Sequence, residues 1–165
     1  MPAADDIARI IEQEKALVFD AFDEEAAFEL GSRLRGEALA RKLPIIIDIR
    51  LWDRPLFYCA LPGSRASNTD WARRKINVVR HFLKPSYRLF LEQGGKDQVI
   101  APHHGLPVTD YIFAGGAFPI RVRNAGVIGA VAISGLPSRE DHNTVVAALA
   151  DLLGADGASL ALGAE

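Results

Sequence analysis

Residues Gly115 to Gly135 read GGAFPIRVRNAGVIGAVAISG, and this stretch decides the fold of the chain. Two segments rich in valine and isoleucine flank a turn signal at Asn124-Ala125-Gly126, which is typical of two neighbouring antiparallel strands. The second segment is apolar at consecutive positions, as expected of a strand buried on both faces. The sequence therefore predicts a core hairpin here.

Composition limits the classes of protein to which the chain can belong. Its 165 residues suffice for one domain, 1–165, with a real core. The formal net charge of −2 creates no overall field that would attract nucleic acid or an anionic membrane. Cys59 is the single cysteine, no signal peptide is recognisable, and the longest apolar run, Val127–Ile133, is too short to span a membrane. These features predict a cytoplasmic protein that binds neither nucleic acid nor membrane.

Helical and strand periodicities mark the segments on either side of the hairpin. The sequence predicts N-terminal helices in residues 5–42, the sheet and central helices in 44–135, a C-terminal helix in 138–153 and a flexible tail in 154–165. The tail, rich in glycine and alanine, either frays or reaches a neighbouring subunit.

Capping residues, prolines and glycines set the individual boundaries. Ser138, with Asp141 three residues later, resembles a capping box at the start of the last helix. The other predicted elements are a helix capped by Asp5, a helix at Glu24–Lys42, strands at Ile45–Leu51 and Leu56–Leu61, a helix capped by Thr69 that ends near Leu83, a helical turn at Ser86–Gln93, and a brief strand at Gln98–Ala101 within a loop at Lys96–Asp110.

The helix that begins near Thr69 is amphipathic, and Lys75 falls near the centre of its apolar arc. An unpaired ammonium there would be costly, so Lys75 needs an anionic partner, a polar cavity or a route to the surface. Two interpretations stay open. Lys75 holds an anionic ligand group in an internal or intersubunit pocket, or it is structural, pairing with an acid such as Asp48 or laying its stem over Trp71.

Glycines and polar residues elsewhere supply further candidates for a pocket. A Gly-Gly pair admits a flat ligand, and the nearby Asp-Tyr pair supplies polar ends, although turn geometry alone also explains these residues. The full candidate ligand-binding set is Lys75, Asp48, Tyr58, Asp110, Tyr111, Gly115 and Gly116.

Other patterns favour plain surface roles. Arg73, Arg74, Arg80 and Lys84 form a basic helix face without interleaved aromatics, which predicts a solvated or paired face rather than a nucleic-acid site. Adjacent histidines point in different directions, so we predict no metal site. No nucleophile elbow, phosphate loop or HExxH pattern occurs, and the sequence identifies no catalytic residue.

Several motifs carry a family resemblance. The pattern GGxxPI, then GVIGAV, then ISG, then Asp141 and a helix rich in alanine and valine resembles the haem-degrading-domain family, whose named members are GlcG and HbpS. The segments Leu43–Ser64 and Trp71–Phe82 look more specifically like the branch called uncharacterised protein family 0303.

This resemblance implies an α+β, profilin-like fold, in which a five-stranded antiparallel sheet has helices on both faces, forming three layers. It also implies a homo-oligomer. GlcG and HbpS relatives carry a lysine within a K-A-x-T-A segment, which Lys75 matches here, while Val78 stands at the threonine position.

Haem enters as a cofactor candidate by resemblance only. An axial ligand would come from a side chain such as histidine, cysteine, methionine or tyrosine. Cys59 is followed by alanine and so lacks a Cys-Pro haem-regulatory element. The remaining candidates are His103, His104, Tyr111 and His142.

Residues and resemblance together predict a cytoplasmic, oligomeric protein of the GlcG/HbpS type that binds a small ligand, either haem or another anionic or tetrapyrrole ligand. Two alternatives stay open. The protein could be an enzyme on a small metabolite with Lys75 as base or nucleophile, or a non-catalytic assembly protein that binds a partner.

Overall fold

The structure is a computed structural model that describes residues 2–164. Its helices are α1 (Pro2–Ala16), α2 (Glu24–Ala40), α3 (Ala66–Phe82), α4 (Ser86–Glu92), α5 (Ser138–Leu153) and α6 (Gly157–Leu160). Its strands are β1 (Val18–Phe19), β2 (Ile46–Leu51), β3 (Arg54–Ala60), β4 (Ala117–Val122) and β5 (Gly126–Ser134). The predicted core hairpin is therefore formed by β4 and β5.

The five strands form one sheet in the order β1-β4-β5-β2-β3. The pairs β4–β5, β5–β2 and β2–β3 are antiparallel, whereas the two-residue strand β1 runs parallel to β4 at one edge. Helices α2 and α5 pack against one face of the sheet and α3 against the other. The predicted α+β fold with three layers is confirmed, and the parallel edge strand is the one departure from an antiparallel sheet.

One side of the sheet, which we call the aliphatic face, carries large apolar side chains. They pack beneath α2 and α5 and are excluded from solvent, because both helices present apolar stripes to them. The residues are Ile45, Ile47, Ile49, Phe118, Ile120, Val131 and Ile133.

The opposite side, which we call the alanine face, carries small side chains beneath α3. Ile46 and three alanines of the central strands contact apolar residues of α3. Two charged residues, Asp48 of β2 and Lys75 of α3, are buried on this side. The alanine-face residues of the sheet are Ile46, Ala117, Ala130 and Ala132, and the α3 residues that meet them are Ala72, Ile76 and Val79.

Two predicted helix starts are wrong. Helix α3 begins at Ala66 rather than Thr69, and the Thr69 hydroxyl instead lies 2.6 Å from the phenol oxygen of Tyr58. Asp5 lies within the first turn of α1 rather than at its cap. In both cases the polar residue stands inside a helix that extends further toward the N-terminus than its periodicity suggests.

The loop before the hairpin contains no strand at 98–101. The side chain of Gln93 donates to the carbonyl of Val99 and accepts from the amide of Ala101, so it satisfies the backbone groups that a strand partner would have satisfied. A short 3-10 turn follows at Pro102–His104.

The C-terminal segment, predicted to be flexible, is folded. Helix α6 and the following residues pack on α1 and α5, with Leu160 and Leu162 buried. Gln13 of α1 donates to the carbonyl of Leu160 over 2.7 Å, and Asn143 of α5 bonds both the amide and the carbonyl of Leu162. Residue 165 lies outside the described residues.

The length and the apolar composition of a helix determine whether it can cross a membrane. Within residues 2–164, no helix combines the length and the apolar composition that a membrane crossing requires.

Candidate functional site

Lys75 lies on α3 with only 2% of its surface exposed. Its Nζ donates to the carbonyl of Ile133 over 3.0 Å and to Oδ2 of Asp141 over 3.1 Å. An ammonium has three protons, and within residues 2–164 the third has no acceptor. The Lys75 side chain thus keeps one donor for a ligand.

Asp141 is the acid that pairs with Lys75, and it lies in the first turn of α5. Its second oxygen, Oδ1, accepts from the amide of Leu136 over 3.2 Å, which fixes the carboxylate beneath the ammonium. Burial raises the pKa of Asp141 to about 6, and the neighbouring Lys75 opposes this change. Burial likewise lowers the pKa of Lys75, against the influence of Asp141.

Gly116 makes this arrangement sterically feasible. Its φ of +127° lies in the region that glycine favours. A Cβ at this position would lie 2.9 Å from Nζ of Lys75 and 2.5 Å from the carbonyl oxygen of Ile133. Any side chain here would therefore push against the lysine and its acceptor.

A cavity of about 280 Å³ opens beside the pair, and we call it the Lys75 cavity. Ser134, which is only 4% exposed, is one of its polar lining residues. The lining residues are Ser67, Asn68, Trp71, Lys75, Gln98, Ala114, Ser134, Gly135, Leu136, Pro137, Ser138 and Asp141.

The N-termini of two long helices meet at this cavity. Ser67 and Asn68 belong to the first turn of α3, and Pro137 and Ser138 begin α5. Helix α5 has no side-chain N-cap in the described structure, so its first-turn N–H groups remain available, whereas in α3 Oδ1 of Asn68 accepts from the amide of Arg65 over 2.8 Å. The predicted capping box of α5 is wrong, because the Ser138 hydroxyl accepts from the amide of Gly115 and from Gln98. Helix N-termini and a cation together favour an anion.

Asp48 lies elsewhere on the alanine face. Both of its oxygens accept from Arg50, over 3.0 Å and 2.9 Å. The suggested pairing of Lys75 with Asp48 is therefore wrong, and Asp141 takes that role. Sixty-six positions separate Lys75 from Asp141, so no local pattern could have paired them.

The other candidate residues do not line the Lys75 cavity. Tyr58 lies half-exposed on the edge strand β3, bonded to Thr69. Asp110 pairs with Arg73 over 3.0 Å. Gly115 packs against the backbone of Ser138 behind the cavity wall.

Tyr111 and Asp110 line a second, separate depression of about 520 Å³ on the outer side of α3. His81 also lines it, and the ring of Tyr111 lies 6.0 Å from that of His81, between centroids. The remaining lining residues are Asn77, Arg80 and Pro107. Of the seven predicted ligand-binding residues, only Lys75 lines the first cavity, with Gly116 touching its ammonium.

The histidines considered as haem ligands, His103, His104 and His142, line neither site, and neither does Cys59. His142 is buried, its Nε2 lies 2.8 Å from Oε1 of Gln13, and burial lowers its pKa to about 3. The rings of His103 and His104 lie 4.1 Å apart in the loop, between centroids, and are tilted by 36°. Cys59 lies on β3. No cluster of three metal-binding side chains of the His, Cys, Asp or Glu type occurs among residues 2–164.

Comparisons with known proteins agree on one family. Residues 22–150 match the model of a family described as haem degrading protein, HbpS-like. A UPF0303 protein of Mesorhizobium japonicum is 60% identical over 165 residues, which cover 100% of this chain and 99% of the relative.

Two solved structures have similar folds. The crystal structure of the Ybr137w protein superposes with a TM-score of 0.80 at 27% identity, covering 90% of this chain and 87% of that one. The PduOC:haem complex superposes with a TM-score of 0.60 at 17% identity, covering 81% of this chain and 94% of that one. The family match over residues 22–150 and the 60% identical relative confirm the predicted family resemblance.

Proposed function

The chain belongs to the HbpS-like haem-degrading protein family, and from that premise we propose that it is a small-ligand-binding protein whose Lys75 cavity takes a small anion, such as a carboxylate. The observation that carries this proposal is the third N–H of a buried ammonium, which has no acceptor within residues 2–164, on a side chain that lines a cavity where two helices begin. Hydrogen bonds to a charged donor are about twice as strong as neutral ones, and burial limits competition from water.

The size of the cavity narrows the ligand class. Sites for drug-sized molecules span about 300–1,000 Å³, and the Lys75 cavity, at about 280 Å³, lies just below that range. None of its lining residues is a histidine, cysteine, methionine or tyrosine, so it offers no axial ligand for haem iron. A metabolite of a few carbon atoms fits this cavity better than a macrocycle.

The depression beside His81 supports a second candidate function, haem binding. The family description names haem degradation, and the PduOC neighbour was solved with haem. His81 and Tyr111 could ligate iron, and Arg80 could hold a propionate. Bound haem would supply the redox chemistry, while these residues would only hold and orient it.

The proposal includes a homo-oligomer in the cytoplasm. Phe28 is 63% exposed on α2 and its ring packs against Phe57 of the edge strand β3, which together provide an apolar surface for a second subunit. Light scattering on the purified protein tests this part, and a monomer at micromolar concentration would contradict it.

Calorimetric titration with acetate, lactate, succinate and phosphate tests the anion site. The wild-type protein should bind at least one of these anions saturably. Lys75→Met should weaken that binding by about tenfold or more, because it removes a charged donor. Lys84→Met, which removes a lysine paired with Glu92 away from the cavity, should change nothing. Absence of saturable binding, or equal binding by Lys75→Met, would contradict the proposal.

Haemin titration tests the second candidate independently. A saturable absorbance change that His81→Ala abolishes and Lys75→Met leaves intact would place haem in the depression. A change that an unrelated protein reproduces would remove haem binding.

A further inference from the structure

We propose that Lys75 is a carbonyl nucleophile that forms an imine with a short 2-oxo acid bound in the Lys75 cavity. This inference rests on the proposed anion site and adds covalent chemistry to it. The starting observation is that Lys75 is the one buried lysine of five, since Lys15, Lys42 and Lys96 are exposed and Lys84 is partly exposed.

The first requirement of imine formation is an amine that reaches the substrate. Nζ of Lys75 uses two of its three hydrogen-bond positions, on Ile133 and Asp141, and its side chain lines the cavity. Gly116 has no Cβ, which leaves the ammonium the space that it occupies. Lysines that form imines in enzymes are typically desolvated in this way.

The second requirement is a group that takes a proton from the ammonium and later returns it. Asp141 lies 3.1 Å from Nζ, and its carboxylate is held by the amide of Leu136. Because burial disfavours the charged forms of both partners, transfer of one proton from Lys75 to Asp141 relieves the desolvation of both.

The third requirement is a place for the substrate carboxylate. The N-terminus of α5, which has no side-chain cap, and the hydroxyl of Ser134 supply donors at the cavity that Lys75 lines. In a 2-oxo acid the carboxylate and the carbonyl are on neighbouring carbon atoms. A small cavity that holds the carboxylate therefore brings the carbonyl carbon close to the amine.

The reaction balances without an external oxidant or reductant. Asp141 takes one proton from the ammonium, and the lone pair of the amine forms a bond to the carbonyl carbon, giving a carbinolamine after proton transfer from nitrogen to oxygen. The protonated Asp141 then donates its proton to the departing hydroxyl, the C–O bond breaks and the C=N bond forms. One carbonyl and one ammonium give one protonated imine and one water, and Asp141 is again a carboxylate.

Reductive trapping followed by peptide mapping tests the inference in the intact wild-type protein. Pyruvate or glyoxylate is added with sodium cyanoborohydride at pH 7, and each lysine-containing peptide is quantified by mass spectrometry. Each pKa unit by which burial favours the neutral amine raises its fraction about tenfold. We therefore expect Lys75 to be modified at least about tenfold more than each of the four other lysines, which serve as internal controls. Equal modification of all five would overturn the inference.

A variant separates the nucleophile from the binding site. Asp141→Asn removes the proton acceptor, so trapping at Lys75 should slow several-fold even at pyruvate concentrations that saturate this variant in calorimetry. Saturable binding of pyruvate to the wild type without a Lys75 adduct would overturn the imine chemistry and leave the anion site standing. Absence of both binding and adduct would overturn the two proposals together.

Discussion

The two faces of the sheet are built from alternating residues of the same strands, yet they differ in kind. In β5, Val131 and Ile133 point to the aliphatic face, while Ala130, Ala132 and Ser134 point to the alanine face. The first face is filled with large apolar side chains. The second leaves room for a helix at close approach, a buried ion pair and a cavity. One strand thus contributes both to the apolar core and to the lining of the Lys75 cavity.

The difference has an energetic meaning. Burying a large apolar side chain stabilises a fold by about 1.5–3 kcal/mol, and seven such residues line the aliphatic face. On the other side, the pair of Lys75 and Asp141 must recover the cost of removing two charges from water. We infer that the aliphatic face supplies stability that the alanine face uses.

Removing a ring from the aliphatic face should have the largest effect. Phe118 is 1% exposed, and Phe118→Ala should lower the free energy of unfolding by about 3–5 kcal/mol, because it removes buried surface and leaves a cavity. Urea denaturation measures the change. The affinity of the remaining folded protein for the anion should stay at the wild-type value. A parallel loss of affinity would show that the two faces are not independent.

A methyl group on the alanine side should have the next largest effect. Gly116→Ala should destabilise the protein by about 2–3 kcal/mol, since φ is +127° and the new Cβ collides with the Ile133 carbonyl. It should also weaken anion binding by displacing Lys75.

Gly36→Ala is the matched control. Gly36 lies in the exposed interior of α2, and no atom outside its own helix backbone lies within 4 Å of the place that an added methyl group would take. This change should therefore stabilise the protein by up to about 1 kcal/mol. If Gly116→Ala behaved like Gly36→Ala, the fixed position of the lysine would be disproved.

The pH dependence should have the smallest net effect, because two neighbouring residues oppose each other. The pKa of His142 is lowered to about 3 by burial, with Arg139 acting in the same direction, so acid stabilises the unfolded chain. From pH 7 to pH 5 the titration of His142 lowers the free energy of unfolding by about 2 kcal/mol. The pKa of Asp141 is raised to about 6, so its carboxylate takes up a proton in the folded state between pH 7 and pH 5. This raises the free energy of unfolding by about 1 kcal/mol.

Denaturation of three proteins at pH 7 and pH 5 resolves the two contributions. Between pH 7 and pH 5 the free energy of unfolding of the wild-type protein should fall by less than about 1 kcal/mol. Asp141→Asn should lose about 2 kcal/mol because the compensation is gone, and His142→Gln should gain about 1 kcal/mol. If the free energy of unfolding changed equally between pH 7 and pH 5 in all three proteins, neither residue would titrate as its environment implies.

Much of the fold was predictable because its signals are local. The hairpin of β4 and β5, the hairpin of β2 and β3, and the amphipathic helix α3 follow from period and turn residues. The strand β1 has only two residues, too few for any period, and the docking of α6 depends on Gln13, nearly 150 positions away. Both needed information that local patterns do not contain.

The candidate site was predictable only at its centre. Lys75 stands out in the sequence because it interrupts an apolar arc, and its burial follows from that position. Its partner Asp141 resembles part of a helix cap, and Ser134, which lines the cavity, resembles the end of a strand. Residues that acquire a role only when distant segments meet carry no local signal.

The hydrogen bonds of the Gln13 side chain link the first helix to the last two. The amide oxygen of this side chain meets the ring of His142 and its amide nitrogen holds the carbonyl of Leu160, so α1, α5 and α6 share one buried polar connection. If either end of the chain detaches, a buried polar group that it had hydrogen-bonded is left without a partner and without water. The first and last helices should therefore open together as one cooperative unit, with their amides exchanging hydrogen at a common rate, whereas the hairpin of β4 and β5 should exchange only on global unfolding.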